Sequence, residues 1–319
     1  MRESLNYIGR NRIPSLFIIS YDTTESHIIP LEALDEDILY RLDEIGNDNH
    51  VKPIPHHTLK WESDSVSFES YKVKFDALLE ELRVGNCYLA NLTQPTTVKT
   101  NASIFELYAK SHAPFKLYYK EQFALFSPER FVKMSGNSIE TFPMKGTIDA
   151  HLPNAKEQIL KSEKELAEHT MVVDLLRNDL SQVASKVNVK RFRYVDEVKT
   201  HKQTLLQVSS HIEGTLKSDW RDNLGDIFTK LLPAGSITGT PKHSTIDILK
   251  KIEGYERGFF SGVFGYFDGE SVDSAIMIRF IQKEDNGEFT YKSGGGITSD
   301  SDAEAEYDEM KQKVYVAVS

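Results

Sequence analysis

Apolar residues recur along this chain in two rhythms, a period of two that marks strands and a spacing of three and four that marks helices. Strands are expected at Leu16 to Ser20 and Ile28 to Ile29, then an acidic helix near Leu31 to Ile45 and a loop over Asn47 to His57. Helical spacing is firmer from Ser67, where Phe68, Val73, Phe75, Leu78, Leu79 and Leu82 recur before a stop at Gly85-Asn86. Tyr88 to Thr93 reads as a strand, Ile104 to Lys110 as a short helix, and Phe115 to Tyr119 and Phe123 to Ser127 as further strands. No repeat or low-complexity segment interrupts this order.

The rest of the chain can be arranged around the stretch Ser127 to Thr147. It reads as a strand, a turn at Gly136-Asn137, and a second strand ending in Lys145 between Met144 and Gly146-Thr147. Apolar neighbours would desolvate that amine, lower its pKa and make it a nucleophile; a lysine at a strand end also commonly snorkels to solvent. A long helix follows over Lys161 to Val183, with Leu166, Val173, Leu176, Leu180 and Val183 on one stripe. Glu165 and Glu168 are three apart and share a face, either as a solvated acidic surface or opposite a cation.

Gly235 to Lys242 opens another helix over Lys242 to Ile252, with Thr240 as N-cap and Pro241 in the first helical position. The Gly-Lys-Ser/Thr order of a phosphate loop is missing, and such a helix start suits a carboxylate equally well. A strand meander is expected beyond it: Gly258 to Phe267, Val272 to Gln282, and Phe289 to Ser293, with turns at Asp268-Gly269 and Asp285 to Gly287. On the middle strand Ile276, Ile278 and Phe280 face one way, while Arg279 faces the other with Met277 and Ile281. That arginine needs a partner, internal or bound. Gly294, Gly295 and Gly296 end the last strand with backbone that a bound group can approach. Ser301 to Glu304 reads as a capping box opening the final helix, on which Glu306 and Glu309 repeat the three-residue spacing. Two helices thus each carry a glutamate pair, and if the pairs converge they supply hard oxygen ligands for Mg²⁺.

At 319 residues and 39% hydrophobic content the chain can bury one large core. The single cysteine, Cys87, excludes an internal disulfide and fits a small buried residue in a reducing cytosol. Leu16 to Ile19 is too short for a signal-peptide core and no run approaches a membrane span, so a soluble cytoplasmic protein is expected. A net charge of −10 without a basic cluster argues against nucleic acid or anionic membranes as partners.

From about Gly85 to Val314 the chain resembles the chorismate-utilising enzymes, the family of anthranilate, aminodeoxychorismate, isochorismate and salicylate synthases. The motifs that carry the resemblance are Ser-Pro-Glu-Arg-Phe, Pro-Met-Lys-Gly-Thr, Glu-His-Thr-Met-Val-Val-Asp-Leu-Leu-Arg-Asn-Asp-Leu, Gly-Ser-Ile-Thr-Gly-Thr-Pro-Lys, Ile-Met-Ile-Arg and Gly-Gly-Gly-Ile, in that order. It implies an α+β fold, with two large, mostly antiparallel β-sheets packed face to face, helices outside and the active site between the sheets. Residues 66–319 would form the catalytic domain, with 1–65 an abbreviated N-terminal portion packed on the core as one structural unit and any feedback pocket reduced or absent.

The same resemblance assigns roles. Glu168 and Glu309 match magnesium-binding glutamates, and Glu165 and Glu306 a second pair holding metal-bound water. The metal would neutralise the ring carboxylate of chorismate, joined by backbone amides near Ser236 and Gly294 to Gly296. Tyr266 and Arg279 match residues that hold the enolpyruvyl carboxylate, and Glu129 a general acid for departure of the C4 hydroxyl. Lysine at position 145, where most branches have alanine, looks like the aminodeoxychorismate branch. That implies amination of chorismate at C4 through a covalent Lys145 intermediate, with ammonia from a glutamine amidotransferase subunit. Leu89 stands where the water-adding branches carry a lysine base. Gln207 stands where many members carry a histidine tied to pyruvate elimination, as in anthranilate synthase.

Overall fold

The computed structural model describes residues 1–52, 58–199 and 204–316. Its described strands form two antiparallel sheets of nine. In the first, the strand order is Met144–Asp149, Thr204–Thr215, Ser138–Thr141, Arg130–Ser135, Val272–Ile276, Val263–Phe267, Ser15–Ile19 and Ser26–Pro30, with Ser185–Lys199 also paired to Thr204–Thr215. In the second it is Gly239–Thr240, Leu89–Thr100, Phe289–Ile297, Phe280–Lys283, Phe123–Ser127, Phe115–Tyr119, Ile38–Leu42 and Ile45–Gly46, with Trp61–Ser65 also paired to Leu89–Thr100. Residues 15–65 therefore contribute strands to both sheets.

The alternation of side chains explains the layers. From the strand Ser15–Ile19, Leu16 and Ile18 join Phe115, Leu117, Leu125, Phe264 and Phe280 in a core between the sheets. Phe17 and Ile19 point the other way, into a core with Leu176, Trp220 and Phe228 beneath the outer helices. The second sheet likewise packs its outer face on Tyr71, Phe75 and Leu78 of the helix Phe68–Arg83 and on Met310 of Ala303–Gln312. Sandwiched sheets with helices outside are the architecture expected from the sequence.

Several element readings change. Leu31 to Ile45 is not a helix: after a 3-10 turn at Leu31–Ala33 the chain forms the strand Ile38–Leu42, registered on Phe115–Tyr119. Its apolar residues are recruited by a neighbouring strand, and tertiary pairing overrides a composition that suits a helix. An N-terminal helix, Arg2–Arg10, buries Leu5 and Ile8. On Phe68–Arg83 the buried stripe is Tyr71, Phe75, Leu78 and Leu82, with Val73 facing solvent. The expected helix over Lys161 to Val183 is two, Ala155–Lys161 and Glu163–Ser181, broken at Ser162, whose side chain caps the second. Leu166 is exposed, and His169 is buried.

Thr240 is not a cap. It pairs with Leu89 in the second sheet, and Pro241 stands at the N-cap of Lys242–Glu253. The final helix, Ala303–Gln312, is capped by Asp302 through Ala305 N–H at 2.9 Å, while Ser301 donates to Glu306 at 3.0 Å. The expected strand Val272 to Gln282 is also two: Val272–Ile276 lies in the first sheet and Phe280–Lys283 in the second. Met277 to Arg279 cross between them, and Arg279 has left-handed backbone, φ +54°.

Candidate active site

A pocket opens between the sheets where these segments meet, lined by Glu129, Lys145, Gly146, Gln207, Ser236, Arg279, Gly294 to Gly296, Glu309 and Lys313 among others. Three local features build it. The first is the crossing at Arg279, a non-glycine residue in a sparsely allowed region that costs on the order of 1 kcal/mol; it brings the guanidinium to the pocket from between the sheets. The second is the glycine run, which lies inside the strand Phe289–Ile297 instead of ending it. A side chain at Gly294 would place Cβ 2.2 Å from Leu92 O on the paired strand, so only glycine fits. The third is the loop at Ser236, tied down by Asp179, which holds Lys242 Nζ at 2.9 Å.

Lys145 lies within the strand Met144–Asp149. Its Nζ is 3.7 Å from Glu168 Oε2 and 3.7 Å from the Cβ position of Gly296. Leu89 Cδ1 lies 3.2 Å from that same position, so an aliphatic side chain borders the glycine strand there. Gln207 lines the same pocket from the strand Thr204–Thr215.

Glu129 is half-buried in the pocket wall. Its Oε1 accepts a hydrogen bond from Ser236 Oγ at 2.7 Å. Burial raises its pKa above the ordinary 4.5, against the opposing pull of the Ser236 hydrogen bond and of the charges on Lys145, Lys313 and Arg279. The Ser236 side chain therefore orients the acid, whereas the sequence pointed to the backbone there.

The glutamates border the glycine strand. The Cβ position of Gly295 is 3.1 Å from Glu306 Oε2 and 3.6 Å from Glu309 Oε1; that of Gly146, next to Lys145, is 2.7 Å from Glu165 Oε2. Glu168 is on Lys145, and Glu309 Oε1 takes Lys313 Nζ at 2.6 Å, which also donates to Gly294 O at 2.8 Å. Two ammonium groups already sit among these carboxylates. Hard oxygens that hold cations beside an open pocket fit the donor chemistry of Mg²⁺. A separate set of donors, Glu140, His211 and Glu213, lies within 4.8 Å on the first sheet, and there Lys190 neutralises Glu213 at 3.0 Å.

Tyr266 stands apart. It stacks on Tyr40 with ring centroids 6.1 Å apart and packs in the inter-sheet core; the pocket-lining aromatic of that region is Phe260. Lys292, Lys313, Asn91 and Phe260 line the pocket and were not singled out in the sequence. For Lys292 a signal existed: a lysine set into a strand of buried residues just ahead of the glycine run. Behind the site, Arg257 donates to Ile237 O at 3.0 Å and Asn91 O at 2.7 Å while buried against Glu253, locking the Ser236 loop to the second sheet. Among the described residues no helix is long and apolar enough to cross a membrane.

A sandwich of two antiparallel sheets with an acid, an amine and paired glutamates between them is the arrangement of an enzyme that works on a small anionic substrate. The chain belongs to the chorismate binding enzyme family, whose model matches residues 17–319. A Haemophilus influenzae protein described as an uncharacterized PabA-like protein is 44% identical over 99% of this chain and 96% of its own length. Aminodeoxychorismate synthase component 1 of Escherichia coli is 34% identical over 81% of this chain and 58% of its own length. Anthranilate synthase component 1 of Archaeoglobus fulgidus is also 34% identical, over 78% and 61%. In three dimensions the chain is similar to the menaquinone-specific isochorismate synthase MenF of Escherichia coli, with a TM-score of 0.75 at 14% identity, covering 98% of this chain and 80% of that one. Identity alone does not separate these activities, and the discrimination falls to individual side chains.

Proposed function

We propose that this chain aminates chorismate at C4, giving 4-amino-4-deoxychorismate, with magnesium as cofactor and ammonia delivered by a glutamine amidotransferase subunit. The observation that carries the reading is Lys145, whose Nζ stands in the pocket beside Glu168 and the glycine strand, with Glu129 on the same pocket wall. In the reaction we infer, the Lys145 ammonium first gives its proton to water, and the neutral amine so formed makes a bond to ring C2. The double bond shifts, the C4–O bond breaks, and Glu129 gives its proton so that water leaves. Ammonia then bonds to C4, the double bond shifts back, and the C2–N bond breaks to return Lys145. A proton from the new C4 ammonium restores Glu129, so the sum is chorismate and ammonia to product and water.

The elevated pKa of Glu129 suits this role, because a poor leaving group such as hydroxide needs an acid that keeps its proton. Ser236 holds that acid in place. Glu168, Glu309, Glu165 and Glu306 are the residues that would hold Mg²⁺, whose contribution when bound is to neutralise the ring carboxylate and absorb developing charge. Leu89 offers no base for adding water at C2, and Gln207 no imidazole for eliminating pyruvate.

The test is to incubate the purified chain with chorismate, Mg²⁺ and an ammonium salt at mildly alkaline pH and separate the products with mass detection. A product with an amine in place of the C4 hydroxyl and the enolpyruvyl group retained is expected. An aminobenzoate with free pyruvate, or an isomer of chorismate, would overturn the reading.

A further inference from the structure

The Ser236 hydroxyl that orients Glu129 sits on a single 3-10 turn, Gly235–Ile237, too short to hold its own geometry. Three consecutive carbonyls there are instead held from outside. Asn91 Nδ2 donates to Ser236 O at 3.4 Å, Arg257 Nη1 to Ile237 O at 3.0 Å, and the Asn91 backbone N–H to Thr238 O at 3.0 Å. Arg257 Nη2 also donates to Asn91 O at 2.7 Å. One guanidinium thus ties the turn to the strand Leu89–Thr100.

Arg257 is buried, and its charge is met by the equally buried Glu253, with Nε 2.8 Å from Oε2 and Nη2 2.6 Å from Oε1. Glu253 Oε1 also accepts from the Thr93 backbone N–H at 2.9 Å and from Thr93 Oγ1 at 2.7 Å. Desolvating two charges is costly, and apolar side chains of similar volume commonly stabilise a fold as well as a buried ion pair does. Apolar side chains could not hold carbonyls in register. Asn91, Thr93, Ser236 and Ile237 all line the pocket, so the pair stands directly behind the wall that carries the acid. The charges acting on the Glu129 carboxyl itself are those of Lys145, Lys313 and Arg279; Arg257 meets it through the turn.

We propose that Arg257, held by Glu253, is a positioning residue for the general acid: it fixes the turn so that Ser236 Oγ stays on Glu129, and so helps set the pH above which the acid loses its proton. This rests on the reading of Glu129 as the acid of chorismate amination. The test compares pH profiles of kcat/KM for the unaltered chain, Ser236→Ala, Arg257→Lys and the two substitutions combined. Lysine keeps a charge beside Glu253 but cannot span both carbonyls and the carboxylate. The Ser236 hydrogen bond favours the ionised carboxyl, so its loss should move the falling limb upward by about one pH unit. A displaced acid should also lower kcat by about tenfold or more, with KM for chorismate nearly unchanged. The combined variant should show no shift beyond that of Ser236→Ala.

A slower Arg257→Lys chain with an unmoved limb, or a further shift when it is added to Ser236→Ala, would overturn the proposal while leaving the amination intact. Should Arg257→Lys fail to fold, as judged by thermal unfolding, Arg257→Met with Glu253→Gln removes both charges, leaves an acceptor for Thr93 and should give the same shift. Failure of that chain to fold as well would assign the pair to the stability of the fold and overturn the proposal. If the unaltered chain aminates nothing, the chorismate reading falls, and titration of Glu129 by NMR on isotope-labelled glutamate carboxyls, without substrate, still decides. Arg257→Lys should raise its midpoint, and an unchanged midpoint would overturn the positioning role.

Discussion

The two sides of the pocket share one strand, Phe289–Ile297, and carry opposite electrostatic arrangements. Near Gly295 and Gly296 the charges are matched, with Lys145 on Glu168 and Lys313 on Glu309. Toward Lys292 and Arg279 the positive charges make no ion pair among the described residues, and the carboxylates that feel or exert charge there are Glu129 and Glu284. Matched charges can exchange an internal cation for a metal, whereas unmatched ones wait for an anion. On the proposed function, a substrate with two carboxylates would meet both sides at once, with its ring between the Lys145 amine and the Glu129 acid. The difference teaches that one side of the pocket is built from carboxylate–ammonium pairs and the other from cations set against carbonyls and rings.

The largest effect expected on the matched side is from Lys145→Ala, which removes the amine and should slow amination on the order of 10⁴-fold, by analogy with loss of a nucleophile that acts as part of a unit. Chromatographic product assays with ammonium as nitrogen source check it, and a rate close to that of the unaltered chain would break the covalent mechanism. Glu129 lies between the two sides and feels the charges of both. Glu129→Gln should cost about 10² to 10³-fold. Because its pKa is raised, the acid form persists to higher pH than for an ordinary glutamate, and the unaltered rate should fall as pH climbs through that raised value. The glutamine variant should lack that falling limb in a pH–rate profile.

A smaller effect sharpens the comparison directly. Glu309→Gln should raise the Mg²⁺ concentration for half-maximal activity by about tenfold or more, while Arg279→Lys should leave that concentration unchanged and raise KM for chorismate by about tenfold through loss of a planar fork. A shift of the Mg²⁺ requirement by Arg279→Lys would mean that the two sides are not separate.

The smallest expected effect on activity lies behind the matched side, at His169. This ring is fully buried, with Nε2 2.7 Å from Ser210 Oγ, and burial, reinforced by Arg193 and Lys145, lowers its pKa to about 4. The folded chain keeps it neutral to about pH 4, while the unfolded chain takes up a proton near 6.5. The unfolded state therefore binds more protons in that window, and stability falls as pH drops from 6.5 to 4. The total is about 3 kcal/mol. Urea unfolding of the unaltered chain and of His169→Gln should show the first losing about that much relative to the second between pH 7 and pH 4; parallel losses would place the sensitivity elsewhere.

Much of this molecule could be read in its residues, and the failures have physical causes. Strands such as Phe115–Tyr119 and Phe123–Ser127 and the helix Ile104–Lys110 emerge where local pattern and tertiary demand agree. Leu31 to Ile45 fails because strand pairing with Phe115–Tyr119 recruits residues whose composition suits a helix. The strand through Arg279 fails because no local pattern announces that the chain leaves one sheet for the other at Met277 to Arg279. Of the candidate site residues, Lys145, Glu129, Ser236, Arg279, Gly294 to Gly296 and Glu309 line one pocket, and Glu165, Glu168 and Glu306 border it through Gly146, Lys145 and Gly295. Tyr266 was assigned by motif position, and motif position carries no information about which side of a strand a ring takes once both sides are buried.

The sequence by itself determined the family and the two-sheet plan, and it singled out a lysine, a glutamate and the glutamate pairs that the structure gathers at one pocket, because motif spacing and alternation are properties of the chain alone. Only the tertiary structure decided how these groups are partnered: that Ser236 holds Glu129 through its side chain, that Lys145 and Lys313 are ion-paired, and that Lys292 and Arg279 make no ion pair among the described residues. Pairing of charge depends on distances between residues far apart in sequence and on the water excluded around them. Both quantities exist only after the sheets have closed on each other.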